Sequence, residues 1–141
     1  SFTLGVQGRS PWSIYLWRYD LKADRTVAPV VEQAYQFLLW LIPTVEKYPR
    51  SQKFLLGDRI QANAMSLLES LTEATYVRQR RSVLRQANLH IDRLRLLIRL
   101  SKDLRHLDLR RYEYAARHLD DIGRQVGGWM KSSSDDAPAQ A

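Results

Sequence analysis

Three observations predict an all-α protein built as an up-down antiparallel four-helix bundle. Four stretches carry apolar residues at recurring steps of three and four, the joins between them are short, and no stretch alternates strongly enough to read as a strand. The bundle is expected over residues 30–131. Residues 1–29 precede it as an N-terminal arm, and residues 132–141, SSSDDAPAQA, follow as a polar tail expected to be disordered.

The arm differs in character from the rest. Gly5, Gly8, Pro11 and Pro29 punctuate it, while Trp12, Tyr15, Trp17 and Tyr19 crowd its middle without a helical period. Two readings stay open: an arm that packs through its aromatics on the body or on a partner, or residues upstream of the domain that remain mobile. Helical patterning begins at Val30, just after Pro29, where a missing N–H costs nothing. Val31, Ala34, Phe37 or Leu38, Leu41 and Ile42 make its apolar face, and Pro43 is expected to kink or end it. A second helix should start near Ser51 as N-cap, with Leu56, Ile60, Asn63, Leu67, Leu71 and Ala74 on its inner face. Asn63, the one polar member, needs hydrogen-bond partners if buried. Gly57 inside the same pattern costs about 1 kcal/mol relative to alanine, which predicts a close backbone approach. The third helix takes Leu84, Ala87, Ile91, Leu94 and Ile98 as its core stripe. The fourth runs from about Leu109 to Lys131 through Tyr112, Ala115, Leu119, Ile122, Val126 and Met130.

Composition narrows the function classes. At 141 residues the chain suits one domain. It has no cysteine, which removes disulfides, thiolate chemistry and the commonest structural zinc sites. The longest apolar run, Phe37 to Ile42, is far short of the roughly 20 residues of a membrane span. The N-terminus lacks the basic-then-apolar layout of a signal peptide, so a soluble, cytoplasmic protein is expected. Metal-ligand spacing is missing around His90, His106 and His118, and the pairs Glu69 with Glu73 and Asp120 with Asp121 fit a helix surface better than an acid and a base. No catalytic residue, metal or cofactor is expected.

Charge points elsewhere. The net charge is +7, yet the segment from Arg78 to Arg111 alone holds eleven Lys or Arg against three Asp, or +8, leaving the remainder at −1. Such a local excess favours an anionic partner: nucleic acid, an acidic protein or a lipid surface. On a helical wheel Arg81, Arg85, Asn88, Asp92, Arg95, Arg99 and Lys102 form one ridge beside the core stripe. Arg81 with Arg85 and Arg95 with Arg99 repel at i,i+4, so something anionic is expected to offset them. The residues assigned to phosphate contact are Arg81, Arg85, Arg95, Arg99 and Lys102, with Arg78 and Arg105 as outliers of the same surface. Tyr76, Tyr112 and Tyr114 are the aromatics placed to stack on single-stranded bases, although Tyr112 also fits the core. Opposite the core stripe lie Leu89, Leu96 and Leu100 around Arg93. An apolar outer face on a bundle helix predicts an oligomer interface.

One run carries a family resemblance. Pro49-Arg50-Ser51-Gln52-Lys53-Phe54-Leu55-Leu56-Gly57-Asp58-Arg59-Ile60 resembles the opening of the second helix in the accessory variability determinants of diversity-generating retroelements and their relatives, the four-helix bundle proteins encoded in intervening sequences of bacterial 23S ribosomal RNA genes. Leu68-Glu69 to Ala74, Leu97-Ile98-Arg99-Leu100 and Gly127-Gly128-Trp129 are similar to the retroelement branch. The ribosomal branch usually has an Asn-Ile-Ala-Glu-Gly type sequence where this chain reads Ser70-Leu71-Thr72-Glu73-Ala74. The resemblance covers about residues 30–131. It implies a non-catalytic accessory protein, a barrel-shaped homopentamer of bundles that binds the element's reverse transcriptase and nucleic acid, template RNA or complementary DNA, to support mutagenic cDNA synthesis. The alternatives are a protein of the 23S intervening-sequence type and a scaffold that recognises an acidic partner. A salt series of binding to RNA and DNA separates the scaffold from the nucleic-acid binder.

Overall fold

The structure is a computed structural model that describes residues 27–133. The expectations for the arm at 1–29 and the tail at 132–141 lie, apart from their innermost residues, outside the described residues. Those described form four helical rods and no strand.

Helix α1 spans Val27–Glu46, with Pro29 in its first turn, where its missing N–H is harmless. Pro43 neither ends nor breaks it. The proline forfeits only the bond to the Leu39 carbonyl one turn from the end, while Thr44 Oγ1 donates to Trp40 O (2.8 Å), and Val45 and Tyr48 beyond it are buried. That burial keeps the helix going. The core face consists of Val30, Val31, Ala34, Phe37, Leu38, Leu41 and Val45. Ile42, expected on it, is exposed instead, because it sits about 100° around the helix from Leu41, and Val45 continues the inner stripe.

The second rod, α2, is continuous but not uniform. It comprises Arg50–Gln52, a π-helical turn Lys53–Gly57 and the α-helix Asp58–Ala74. Its N-cap is Pro49 (φ −55°, ψ 146°) rather than Ser51: an extended proline turns its carbonyl to accept from Gln52 N (2.9 Å) and Lys53 N (2.8 Å). Inside the wide turn, Asp58 N–H donates to Lys53 O. The close approach expected at Gly57 is there. A Cβ on that residue would stand 2.6 Å from Val45 Cγ1, so α1 and α2 touch through the glycine. Farther along, Ala64 takes the buried position expected for Asn63. Asn63 lies half-buried at the α3 side and is satisfied, its Oδ1 3.0 Å from His90 Nδ1 and its Nδ2 donating to Arg59 O (2.9 Å).

Helix α3, Arg80–Asp103, buries Leu84, Ala87, Ile91, Leu94 and Ile98 as expected, together with Ser101, whose hydroxyl donates to Leu97 O (2.9 Å). Its end is a Schellman motif: His106 N donates to Ser101 O (2.9 Å), Arg105 N to Lys102 O (2.9 Å), and Arg105 takes the left-handed conformation (φ 66°). An arginine there costs roughly 1 kcal/mol relative to glycine. Helix α4, Leu109–Ser132, starts at Asp108, whose side chain accepts from Arg111 N (2.8 Å). Ala115, Leu119, Ile122 and Val126 are buried, and the last core position belongs to Trp129. Met130, expected there, is rotated toward α3, since the step of three from Val126 keeps Trp129 on the inner stripe. The predicted core residue Tyr112 is half-buried at the same seam.

Each rod packs on its chain neighbours, and α1 closes the ring on α4 through Gln125 Nε2 donating to Gln33 Oε1 (2.6 Å) and the Trp40–Tyr114 ring pair (4.6 Å between centroids). With short joins between successive rods, that is an up-down antiparallel bundle.

Candidate nucleic-acid interface

The cationic ridge of α3 lies along the seam with α4, and the fold gives its members different circumstances. Arg85 is exposed and makes no hydrogen bond or ion pair with any described residue. Arg81, half-buried, donates from Nη1 to Met130 O (2.9 Å) near the C-terminal end of α4, where a cation also complements the helix dipole. Arg95 lies between Asp92 (3.2 Å) and Asp120 (3.2 Å), and its guanidinium fills the space over Gly123, where a Cβ would come within 2.9 Å of Arg95 Nη2. Arg99 is exposed, with Asp103 3.9 Å away. Lys102 shares Asp103 (3.6 Å) and sits over the Tyr112 ring, 4.5 Å from its centroid. Arg78 and Arg105 are exposed, but in the links before and after α3 rather than on the helix.

The seam is therefore less uniformly positive than the α3 sequence suggests, because α4 contributes Asp120 to it. A sequence count along one helix registers Asp92 and misses the carboxylate across the groove. The same helix adds cations the α3 reading passed over: Arg110, Arg117, Arg124 and Lys131 are exposed on its outer face. Their spacing of seven is a signal present in the sequence, since every second turn returns to the same face. Arg124 pairs with Asp121, while Arg117 has no ion pair with a described residue.

Of the stacking candidates, Tyr112 lies beneath Lys102, Tyr76 is exposed in the α2–α3 link, and Tyr114 faces the opposite seam, against Trp40 and His118. The outer face of α3 exposes Leu89 (48%), Leu96 (65%) and Leu100 (44%), with exposed Arg93 among them. These exposures match the expected apolar back. The sequence reading missed a second outer stripe, Tyr35, Leu39 and Ile42 on α1, because it put Ile42 inside.

Electrostatics beside the seam are modest. His90 has its pKa lowered, first by burial and then by Arg93, with Glu69 opposing. Asp108 is held below the usual carboxylate range chiefly by the Arg111 backbone N–H. Burial raises the Tyr48 phenol. Among the described residues no group of three or more His, Asp or Glu is placed to hold a metal ion, and no helix is long and apolar enough to cross a membrane.

No curated protein and no solved structure is significantly similar to this chain. The family model described as bAvd-like, for the bacterial accessory variability determinant, matches residues 29–133, a span that contains nearly the whole bundle with its seam and its apolar back. On that match the chain belongs to the bAvd-like family, the accessory proteins of diversity-generating retroelements.

Proposed function

We propose that the protein is a non-catalytic, cytoplasmic accessory subunit that binds nucleic acid and the reverse transcriptase of its retroelement, working as a homo-oligomer, on the family resemblance a pentamer. The relation to the 23S intervening-sequence proteins and the division into arm, bundle and tail belong to the same reading. The observation that carries the nucleic-acid half is the +8 charge of residues 78–111. Exposed Arg85 and Arg99 on α3, the latter held only by Asp103 at 3.9 Å, with exposed Arg78 and Arg105 at its ends, are its outward reach. The apolar back carries the oligomeric half: each added copy adds a ridge, and phosphate contacts multiply affinity.

Binding of single-stranded RNA and DNA across a salt series tests this. The Arg85→Ala, Arg99→Ala double variant should bind roughly three- to tenfold more weakly, with a salt slope shallower by about two. Unchanged affinity at moderate salt overturns the assignment. Capture of the reverse transcriptase by tagged protein tests the second partner.

A further inference from the structure

At the end of the bundle where α1 stops and α4 starts, two hollows adjoin. The larger, about 550 Å³, is lined by Lys47, Lys102, Arg105, His106 and Arg111, with Thr44 at its wall. Its one carboxylate, Asp108, is already engaged by Arg111, through the backbone N–H (2.8 Å) and Nη1 (2.6 Å). The side chains of Lys47 and Arg105 make no ion pair or hydrogen bond with any described residue, and Lys102 has Asp103 at 3.6 Å and the Tyr112 ring at 4.5 Å. The smaller hollow, about 330 Å³, shares Asp108 and Arg111 and adds Trp40, Tyr114 and Arg110. Tyr114 is 38% exposed and lies between the rings of Trp40 (4.6 Å) and His118 (4.2 Å), tilted by 41° and 49° against them.

Local rules of stability are broken three times in this corner, each time toward more positive charge. Arg105 holds the left-handed position that glycine fits best. Arg110 and Arg111 stand in the first turn of α4, which contains no acidic residue, at the helix end where the dipole disfavours cations. Arg111 regains stability from its ion pair with Asp108, but Arg105 and Arg110 make no ion pair or hydrogen bond with a described residue. Departures from local preference without structural return are where function is to be sought.

We propose that this corner binds a nucleoside phosphate, the phosphate held among Lys47, Lys102 and Arg105 and the base against Trp40 and Tyr114. A strand's 5′ end and a free nucleotide both supply such a phosphate. The inference deepens the nucleic-acid reading but uses residues other than Arg85 and Arg99, so the two can fail separately.

The test is fluorescence anisotropy with a short single-stranded oligonucleotide labelled at its 3′ end, carrying either a 5′-phosphate or a 5′-hydroxyl, and with adenosine 5′-monophosphate as competitor. The wild type should favour the phosphorylated strand by roughly three- to tenfold. Displacement by the mononucleotide identifies the free nucleotide as a ligand; preference without displacement identifies the strand end. Arg105→Gly and Arg110→Glu should abolish the preference while raising Tm by about 2–4 °C, and Tyr114→Ala should weaken both strands. A merely structural role would instead lower Tm on either arginine change. The Arg85→Ala, Arg99→Ala variant should weaken both strands and keep the preference; if it changes nothing while the corner variants act, the ridge reading falls and the corner stands. Equal affinity for the two strands with no displacement by the mononucleotide overturns the proposal, as does a preference that survives Arg105→Gly.

Discussion

Glycines in helices α2 and α4 are the same residue under opposite constraints. Gly57 has Val45 Cγ1 where its Cβ would be, so Gly57→Ala must separate α1 from α2 or bend the π turn, and about 1–3 kcal/mol of stability should be lost in urea melts. Gly127 and Gly128 have open space around theirs, and alanine at either should gain about 0.5–1 kcal/mol through helix propensity. The sequence shows where each glycine interrupts a helical pattern, but the neighbour that decides the sign belongs to another helix. A second residue-scale prediction concerns His90. Its folded pKa is lowered, so as pH falls through about 6.5 the unfolded chain takes up the proton first. The contribution is intact above that pH and declines below it toward the folded pKa. His90→Gln should flatten the fall in urea midpoint between neutral and mildly acidic pH; an equal fall in both proteins rejects this account.

Between α3 and α4 the ridge arginines divide into structural and free members. Arg81 donates to the Met130 carbonyl and Arg95 bridges Asp92 and Asp120, whereas Arg85 has no described partner. Arg81→Ala should therefore cost about 1–2 kcal/mol and expose the end of α4 to faster amide exchange, while Arg85→Ala leaves the melt within about 0.5 kcal/mol of wild type. Equal melts for the two would show that the Met130 bond contributes nothing. The wheel of α3 reveals the ridge but not this division, because identical spacing along one helix says nothing about what the facing helix presents. Pro43 makes the same point within α1. Local chemistry predicts a stop, and burial of Val45 and Tyr48 carries the helix past it.

At the scale of the molecule, Leu89, Leu96 and Leu100 leave a lone bundle with an apolar outer face. Leu96→Lys should lower the assembly mass in sedimentation without changing the helical signal, since Leu96 has few neighbours of its own to lose. A wild-type monomer would remove the oligomeric part of the proposal. Tyr35, Leu39 and Ile42 on α1 form a second exposed stripe, so substitutions on the two helices also report which face does the assembling.

The sequence by itself determined the helices, the five apolar core positions of α3, the local concentration of charge and the apolar back, because each is a periodicity or a count along one rod. It also carried the family, through the order and spacing of motifs from Pro49 to Trp129. Only the tertiary structure decided which of two adjacent apolar residues faces inward at Leu41 and Ile42 or at Trp129 and Met130, and that Asp120 neutralises part of the ridge. It alone brought Lys47, Trp40, Arg105 and Arg110 to one corner. Neighbours on a helix lie about 100° apart, so only one of each adjacent pair stays on the inner stripe and the packed helix selects it. Asp120 and the corner depend wholly on what a second helix places opposite the first, for which periodicity along one segment has no term.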